Sequence, residues 1–270
     1  MLGQDGERMI RLDKYLSDAG VGTRSEVREY CKKGLVTVDG DVCRNFGQKI
    51  DSGRMTICFR GNAVLRETDA AVCYMLNKPA GYLCATKDSE AQTVFSLMPD
   101  VDTEHFFPIG RLDKDSEGLL FITNDGMLSH KLTSPRMHVP KTYEVWVSGT
   151  LTEEELTSLR KGTDIGDNTP CLPAQVTVLR TESTYQLSVE ERMKLPSSLP
   201  DTIEASHVRI TIYEGRYHQV KRMFHANRHE VFRLKRTAVG ALCLDQNLHP
   251  GAYRRLTTEE LEQLTAGINR

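Results

Sequence analysis

The chain has 270 residues, of which 39% are hydrophobic and 27% are charged, and its formal net charge is −2. This composition predicts a folded chain of up to two domains with a sizeable core, and it excludes a largely disordered protein. No apolar run is long enough to span a membrane, and residues 1–8 lack the apolar core of a secretion signal. The seven cysteines form no Cys-x-x-Cys pair, which argues against a disulfide framework or a zinc site and favours the cytoplasm.

Positive charge is concentrated in two separate segments. Residues 8–60 contain eleven Lys or Arg against seven Asp or Glu, a net charge of +4. Residues 216–236 contain seven Lys or Arg against Glu230 alone, a net charge of +6, with three histidines besides. Two basic segments in a slightly acidic chain predict a two-part contact with a polyanion such as nucleic acid.

Two short helices followed by a β-hairpin are predicted within residues 9–60. Thr23 and Glu26 form a capping box at the start of the second helix, which we expect to end near Gly34. Two short apolar strands then flank Asp39-Gly40, a dipeptide typical of tight hairpin turns. The segment therefore predicts a compact N-terminal module.

Arg24, Arg28 and Lys32 lie four residues apart along the second predicted helix, so they are expected to share one face. The module resembles the S4-type (alpha-L) RNA-binding module of a ribosomal protein and of many RNA-modifying enzymes. The matching residues are Arg11-Leu12-Asp13, Thr23-Arg24-Ser25, Lys32-Lys33-Gly34 and Val36-Thr37-Val38-Asp39-Gly40. The resemblance implies that RNA lies against Arg11, Arg24, Ser25, Arg28 and Lys32.

A second, larger domain is predicted over residues 72–270, after a small and polar linker at 61–71. Val72 to Leu76 reads as an apolar strand that runs into a polar turn at 77–81. Thr142 to Val147 alternates as a strand with Tyr143, Val145 and Val147 on one face. Strands and short helices mix to the end of the chain, which predicts an α+β fold with a mixed, mainly antiparallel sheet.

The most informative stretch is Gly110–Gly126, which reads GRLDKDSEGLLFITNDG. Asp113 stands where an apolar strand gives way to a polar loop, and a second buried strand follows at Leu119 to Ile122. A carboxylate at a strand end beside a packed core has a rigid support that suits a reacting group. The whole run resembles the signature of the RNA pseudouridine synthases, in particular their small-subunit (RsuA-type) branch. In that family the matching aspartate is the nucleophile, so the resemblance implies this role for Asp113.

Two further segments match motifs of the same family. Lys141-Thr142-Tyr143 places Tyr143 at the position of a tyrosine that stacks on the target base, which offsets part of the cost of unstacking uracil. Gly215 to Phe224 matches a motif whose basic residue pairs with the catalytic aspartate, and Lys221 holds that position. A cation there would favour the ionised carboxylate. We also expect Arg111 and Arg222 to contact RNA.

Other interpretations of these residues were weighed. Asp113, Asp115 and Asp125 could hold magnesium in a nuclease, which would cleave RNA only with the metal. Ser116 and His218 suggest a hydrolase, but Ser116 is not on a nucleophile elbow. A ribosome-assembly factor that binds RNA without catalysis is a further alternative. The presence of Asp113, Tyr143 and Lys221, which match the family's catalytic set, argues against it.

The resemblance covers nearly the whole chain and implies a reaction. It implies the isomerisation of uridine to pseudouridine in ribosomal RNA, at uridine-516 of 16S RNA, with a 23S RNA target as the alternative. The expected partner is 16S RNA or an assembling small-subunit particle. We expect a cytoplasmic monomer that needs no cofactor and no metal.

Overall fold

The computed structural model describes residues 9–52, 55–64, 72–195 and 203–266. The chain divides into two compact units, Met1–Val72 and Cys73–Arg270. Along the described ranges, no helix is long and apolar enough to cross a membrane.

The first unit combines two helices with short strands. Its elements are β1 (Met9–Arg11), α1 (Leu12–Asp18), α2 (Arg24–Lys32), β2 (Val36–Val38), β3 (Asp41–Val42), β4 (Lys49–Asp51), β5 (Ile57–Phe59) and β6 (Asn62–Ala63). Strand β1 pairs with β4, and β3, β2, β5 and β6 form a sheet in that order. Leu12, Val27, Ile50 and Ile57 meet in its core.

Local signals in this unit are confirmed. The capping box between Thr23 and Glu26 is present at the start of α2. Asp39 and Gly40 both have positive φ angles, 51° and 91°, as the predicted hairpin turn requires. The predicted linker at 61–71 is wrong at its start, because Asn62–Ala63 is strand β6 and pairs with β5. Residues 65–71 of that linker lie outside the described residues.

The second unit is built around one large sheet. Its elements are β7 (Cys73–Lys78), β8 (Phe107–Ile109), β9 (Glu117–Thr123), α3 (Gly126–Thr133), β10 (Lys141–Ser148), α4 (Glu153–Lys161), β11 (Gln175–Ser183), α5 (Val189–Arg192), β12 (Glu204–Ile212), α6 (Gln219–Ala226), β13 (Val231–Val239), β14 (Leu242–Cys243), β15 (Tyr253–Arg255) and α7 (Thr258–Ala266). Short 3-10 turns lie at Val94–Leu97, Pro135–Met137 and Thr184–Gln186.

Within the described residues the sheet has nine strands, in the order β11-β12-β10-β13-β9-β7-β15, with β14 beside β13 and β8 beside β9. Strands β9 and β13 run parallel, whereas the other pairs are antiparallel. The predicted α+β class, with a mixed and mainly antiparallel sheet, is confirmed. The central strands are buried on both faces, since Leu120 and Ile122 of β9 enter one core cluster and Leu119 and Phe121 enter the other.

Strand β7 is longer than the sequence predicts. Asn77 and Lys78, expected in a polar turn, continue the strand opposite Leu119 and Gly118 of β9. Both side chains are buried. They remain in the strand because their polar atoms find partners there: the Asn77 amide donates to the Leu248 carbonyl at 2.7 Å, and the Lys78 ammonium reaches the loop described next.

Candidate active site and RNA-binding face

The loop at 110–116 carries Asp113 from β8 to β9, and the backbone holds it at several points. The Leu112 side chain is buried in the core, and its amide donates to the Cys84 Sγ at 3.3 Å. The Ser116 amide donates to the Asp113 carbonyl at 3.1 Å, and the Gly81 amide donates to the Lys114 carbonyl at 2.7 Å. Cys84 and Gly81 both belong to the segment after β7, so this segment supports the loop.

Lys78 provides the strongest support for this loop. Its ammonium, which has three N–H groups, lies within hydrogen-bond distance of four backbone carbonyls, those of Pro79, Asp113, Lys114 and Ser116, at 3.1, 3.1, 3.2 and 2.7 Å. The side chain has 0% exposure. Burial lowers its pKa, and the nearby carboxylates offset this only in part. A buried ammonium with carbonyl partners fixes the shape of the loop without contacting the Asp113 carboxylate itself.

The Asp113 carboxylate is 28% exposed and lies between two basic side chains. The Lys221 Nζ is 3.3 Å from its Oδ2, and the His218 Nε2 is 3.4 Å from its Oδ1. Lys221 also donates to the Asp115 Oδ1 at 2.6 Å, so one ammonium bridges two carboxylates. Lys221 and Asp113 are in contact, as the resemblance implies. The closer contact of Lys221 with Asp115 was not predicted.

Helix α6 presents Lys221 and His218 because its other side is packed in the core. Val220, Met223 and Phe224 are buried there, as their helical spacing predicts. His218 precedes the first helical residue and has a left-handed backbone, with φ of 48°. Such a conformation is costly outside glycine, and here it accompanies the contact of the imidazole with Asp113.

Tyr143 lies in β10 with only 7% of its surface exposed. It belongs to the same apolar cluster as Leu112 and Val220, the neighbours in sequence of Asp113 and Lys221. The three predicted segments thus pack into the same hydrophobic core. The burial of Tyr143 also agrees with a packing role, so its stacking on a base stays a prediction.

The two remaining basic candidates in the second unit differ in their surroundings. Arg111 is exposed. Arg222 is turned toward the loop at 165–167, where its guanidinium donates to Asp167 at 3.1 Å and to the Ile165 carbonyl, and it also donates to the Tyr217 carbonyl. These contacts give Arg222 a part in holding loops, and its contact with RNA stays a prediction.

In the first unit, three predicted RNA-binding arginines converge on one carboxylate. Asp13 is fully buried, and Arg11 and Arg24 donate to it at 3.0–3.1 Å while Arg28 lies 3.8 Å away. The hydrogen bond from Arg11, followed by that from Arg24, lowers the pKa of Asp13 to about 2 against the cost of burial. Each arginine keeps about half of its side-chain surface exposed, so this cluster presents a net positive surface.

The other two candidates of this unit lie on α2. Ser25 is exposed, and Lys32 is paired with Glu29 at 2.8 Å. The expected row of Arg24, Arg28 and Lys32 is therefore divided, because the arginines contact Asp13 while the lysine contacts its own helix.

Two residues of the site, Lys78 and Asp13, were not predicted as functional, and the contact of His218 with Asp113 was not predicted. Each of the three has a contact with a residue distant in sequence, for which local spacing gives no signal. Among the described residues, no group of three or more His, Cys, Asp or Glu is placed to hold a metal ion. Asp125, considered as a metal ligand, instead accepts from the Met127 and Leu128 amides as the N-cap of α3.

Comparisons with known proteins give a consistent result. Residues 72–226 match the family described as RNA pseudouridylate synthase, and residues 10–55 match the S4 domain. The chain is 39% identical to the uncharacterized RNA pseudouridine synthase YtzG of Bacillus subtilis, over 94% of this chain and 98% of the relative. It is 37% identical to the ribosomal small subunit pseudouridine synthase A of Yersinia pestis, over 95% and 99%. A solved structure described as a pseudouridylate synthase is 32% identical over 94% of this chain and 99% of that chain, with a TM-score of 0.61.

Proposed function

Because this chain belongs to the RNA pseudouridine synthase family, we propose that it modifies 16S ribosomal RNA, at uridine-516. The small-subunit target is supported by the relative from Yersinia pestis, which matches over nearly the full length of both chains. The match of residues 10–55 to the S4 domain supports a second RNA-binding surface in addition to that of the catalytic unit.

The reaction isomerises one nucleotide and changes no other molecule. The N1–C1′ glycosidic bond breaks, the uracil turns, and a C5–C1′ bond forms. N1 gains a proton and C5 loses one, so the step needs neither an oxidant nor water as a reactant. The protein must therefore supply a group that promotes cleavage of the glycosidic bond (by attack on C1′, by addition to C6 or by removal of the C2′ proton), a holder for the detached base and a route for the proton.

The observation that carries the proposal is the Asp113 carboxylate held between Lys221 and His218 on a fixed loop. A partly exposed carboxylate with a neighbouring cation suits a nucleophile. Its backbone is fixed by Lys78, so the carboxylate is presented in one place, as a reaction with a bound nucleotide requires. We assign the nucleophile to Asp113, the base contact to Tyr143 and the charge partner to Lys221.

The arginine cluster around Asp13 is proposed to hold RNA phosphates. Arg11, Arg24 and Arg28 are half exposed, and their joint charge exceeds that of the one carboxylate they share. Ser25 and Lys32 extend this surface along α2, and Arg111 and Arg222 would contact RNA in the second unit. Such contacts make binding depend on salt, and each lost phosphate contact lowers the log–log slope by about 0.7–0.9.

The proposal also covers the setting of the reaction. All seven cysteines are free thiols, which suits a reducing cytoplasm. We further propose that the chain acts as a monomer on 16S RNA or on an assembling small-subunit particle. No cofactor is assigned to the reaction, because its atoms balance without one.

The test is pseudouridine mapping of ribosomal RNA from cells that lack the gene and carry a plasmid copy. Wild-type protein should restore pseudouridine at uridine-516, and Asp113→Asn should not. Asp115→Asn is the matched control, because this carboxylate also contacts Lys221 but is 72% exposed; it should keep most of the modification. A modified site in 23S RNA would overturn the target, and full activity of Asp113→Asn would overturn the mechanism.

A further inference from the structure

An exposed aromatic pair stands next to the nucleophile. The Tyr217 side chain is 74% exposed, and its ring stacks on the His218 imidazole with centroids 3.8 Å apart and planes inclined by 18°. The same imidazole contacts Asp113. Exposed tyrosine rings are favoured contact residues, because they combine a large apolar face with a polar hydroxyl.

The segment that carries this pair is held firmly. The Arg216 guanidinium donates to the carbonyls of Thr169 and Pro170 and to Glu214. The buried Gln219 accepts from the Arg216 amide at 2.9 Å and donates to Glu214. The aromatic pair is therefore presented by a fixed loop, so little ordering would be required when a ligand covers it.

The surroundings of the pair favour a nucleobase over an apolar protein partner. The Arg222 guanidinium donates to the Tyr217 carbonyl at 3.2 Å, and residues 216–236 carry a net charge of +6, although Lys221 and Arg222 are themselves paired with carboxylates of other segments. A flat π-face beside cations is the arrangement that binds single-stranded RNA, because the base stacks while the cations neutralise the backbone. When the target uridine leaves its stack, its neighbour loses a stacking partner, and that neighbour is the base that needs a new one.

We propose that Tyr217 is a stacking platform for the unpaired nucleobase adjacent to the target uridine. His218 supports the platform from behind and links it to Asp113, so that the stacked base sets the distance of the neighbouring ribose from the nucleophile. This inference rests on the proposed function, since it assumes an RNA substrate, and it adds a binding residue outside the catalytic set.

The probes are two single-stranded RNA oligonucleotides of the 16S sequence around uridine-516, with 2-aminopurine directly 5′ or 3′ of the target. One of them should lose fluorescence on binding, because 2-aminopurine is quenched when it stacks. Tyr217→Ala should abolish that quench and weaken binding by roughly 5- to 100-fold. Tyr217→Phe should retain both, since it keeps the ring, and Tyr185→Ala, which removes another exposed tyrosine, should match wild type.

A second arm combines the change in the RNA with the change in the protein. An abasic nucleotide at the quenched position should weaken wild-type binding as much as Tyr217→Ala does, and it should weaken the Ala variant no further. Unchanged binding and quench in Tyr217→Ala, or losses that add, would overturn the platform. Failure of the proposed function would be seen elsewhere, as absent pseudouridine at uridine-516 in the mapping experiment.

Discussion

Replacement of Lys78 by methionine should damage both the stability of the second unit and its activity. Methionine has a similar length, so the cavity left in the core is small. The change removes the ammonium that four carbonyls share, and three of these carbonyls belong to the loop of Asp113. The substitution therefore tests the charge and the hydrogen bonds of Lys78 while its side-chain volume stays nearly unchanged.

The expected loss follows from the hydrogen bonds of the ammonium. A hydrogen bond to a charged group contributes about 1.5–3 kcal/mol net, and an ammonium has three N–H groups, which sets an upper limit of about 5–9 kcal/mol for Lys78. Breaking a buried charged contact by removing one partner costs about 3–5 kcal/mol, and we expect a net loss in this range. This is a large part of the about 5–15 kcal/mol that stabilises a domain. In molecules that stay folded, a shift of the loop by about 1 Å should lower the rate about 10²-fold.

The assay is urea unfolding followed by tryptophan fluorescence. Trp146 is the only tryptophan of the sequence and is buried in β10, so its signal reports on the unit that contains Lys78. Lys141→Met is the control, because among the described residues this lysine donates to one carbonyl, that of Val139. Its free energy of unfolding should fall by no more than the about 1.5–3 kcal/mol of one such bond. Wild-type stability and wild-type single-turnover rate in Lys78→Met would refute the role given to the ammonium.

Three further outcomes are expected. Tyr143→Phe should keep most single-turnover activity if only the ring acts, or lose about 10²–10⁴-fold if the hydroxyl carries a proton; a fully active Tyr143→Ala would reduce this side chain to a packing residue. Gly118→Ala should prevent folding of the second unit or lower its free energy of unfolding in urea by more than about 3 kcal/mol. The reason is that φ is +101° and an added Cβ would lie 2.2 Å from a carbonyl oxygen of β13. Gly126→Ala is the control and should be nearly neutral, because a Cβ added there would have no neighbour within 4 Å. Hydrogen bonding by Arg11 lowers the pKa of Asp13 from 3.8 to about 2. The ionised Asp13 should therefore stabilise the first unit by about 2 kcal/mol above pH 4, and this stabilisation should be lost between about pH 4 and 2, as NMR-detected urea unfolding would measure. Asp13→Asn should abolish that pH dependence, and an unchanged dependence would contradict the assignment.

The features that were predictable from the sequence depend on neighbours in the chain. The capping box at Thr23 joins residues three apart, and it is present. The buried face of α6 follows from helical spacing alone. Family membership was predictable because the motif around Asp113 is long, and it is confirmed by the match of residues 72–226.

What could not be predicted depends on contacts between distant segments. Lys78 is followed by Pro79 and Gly81, which suggests a turn, but a partner strand and four carbonyls keep the lysine buried in β7. Asp13 looked like an ordinary helix residue, although Arg24, eleven positions away, completes its set of partners. Local propensity contains no information on such pairs, since tertiary contacts decide whether a charge is buried.

Different residues contact the backbone of the Asp113 loop and the Asp113 carboxylate, so the two kinds of contact can be tested separately. Backbone atoms of the loop are held by Lys78 and Cys84, whereas the carboxylate contacts Lys221 and His218 from α6. A change at Lys78 should therefore move the nucleophile and lower stability together. A change at Lys221 removes a charge but leaves the backbone contacts of the loop in place, so it should lower the rate with little loss of stability. The ratio of these two effects distinguishes positioning from electrostatics at one carboxylate.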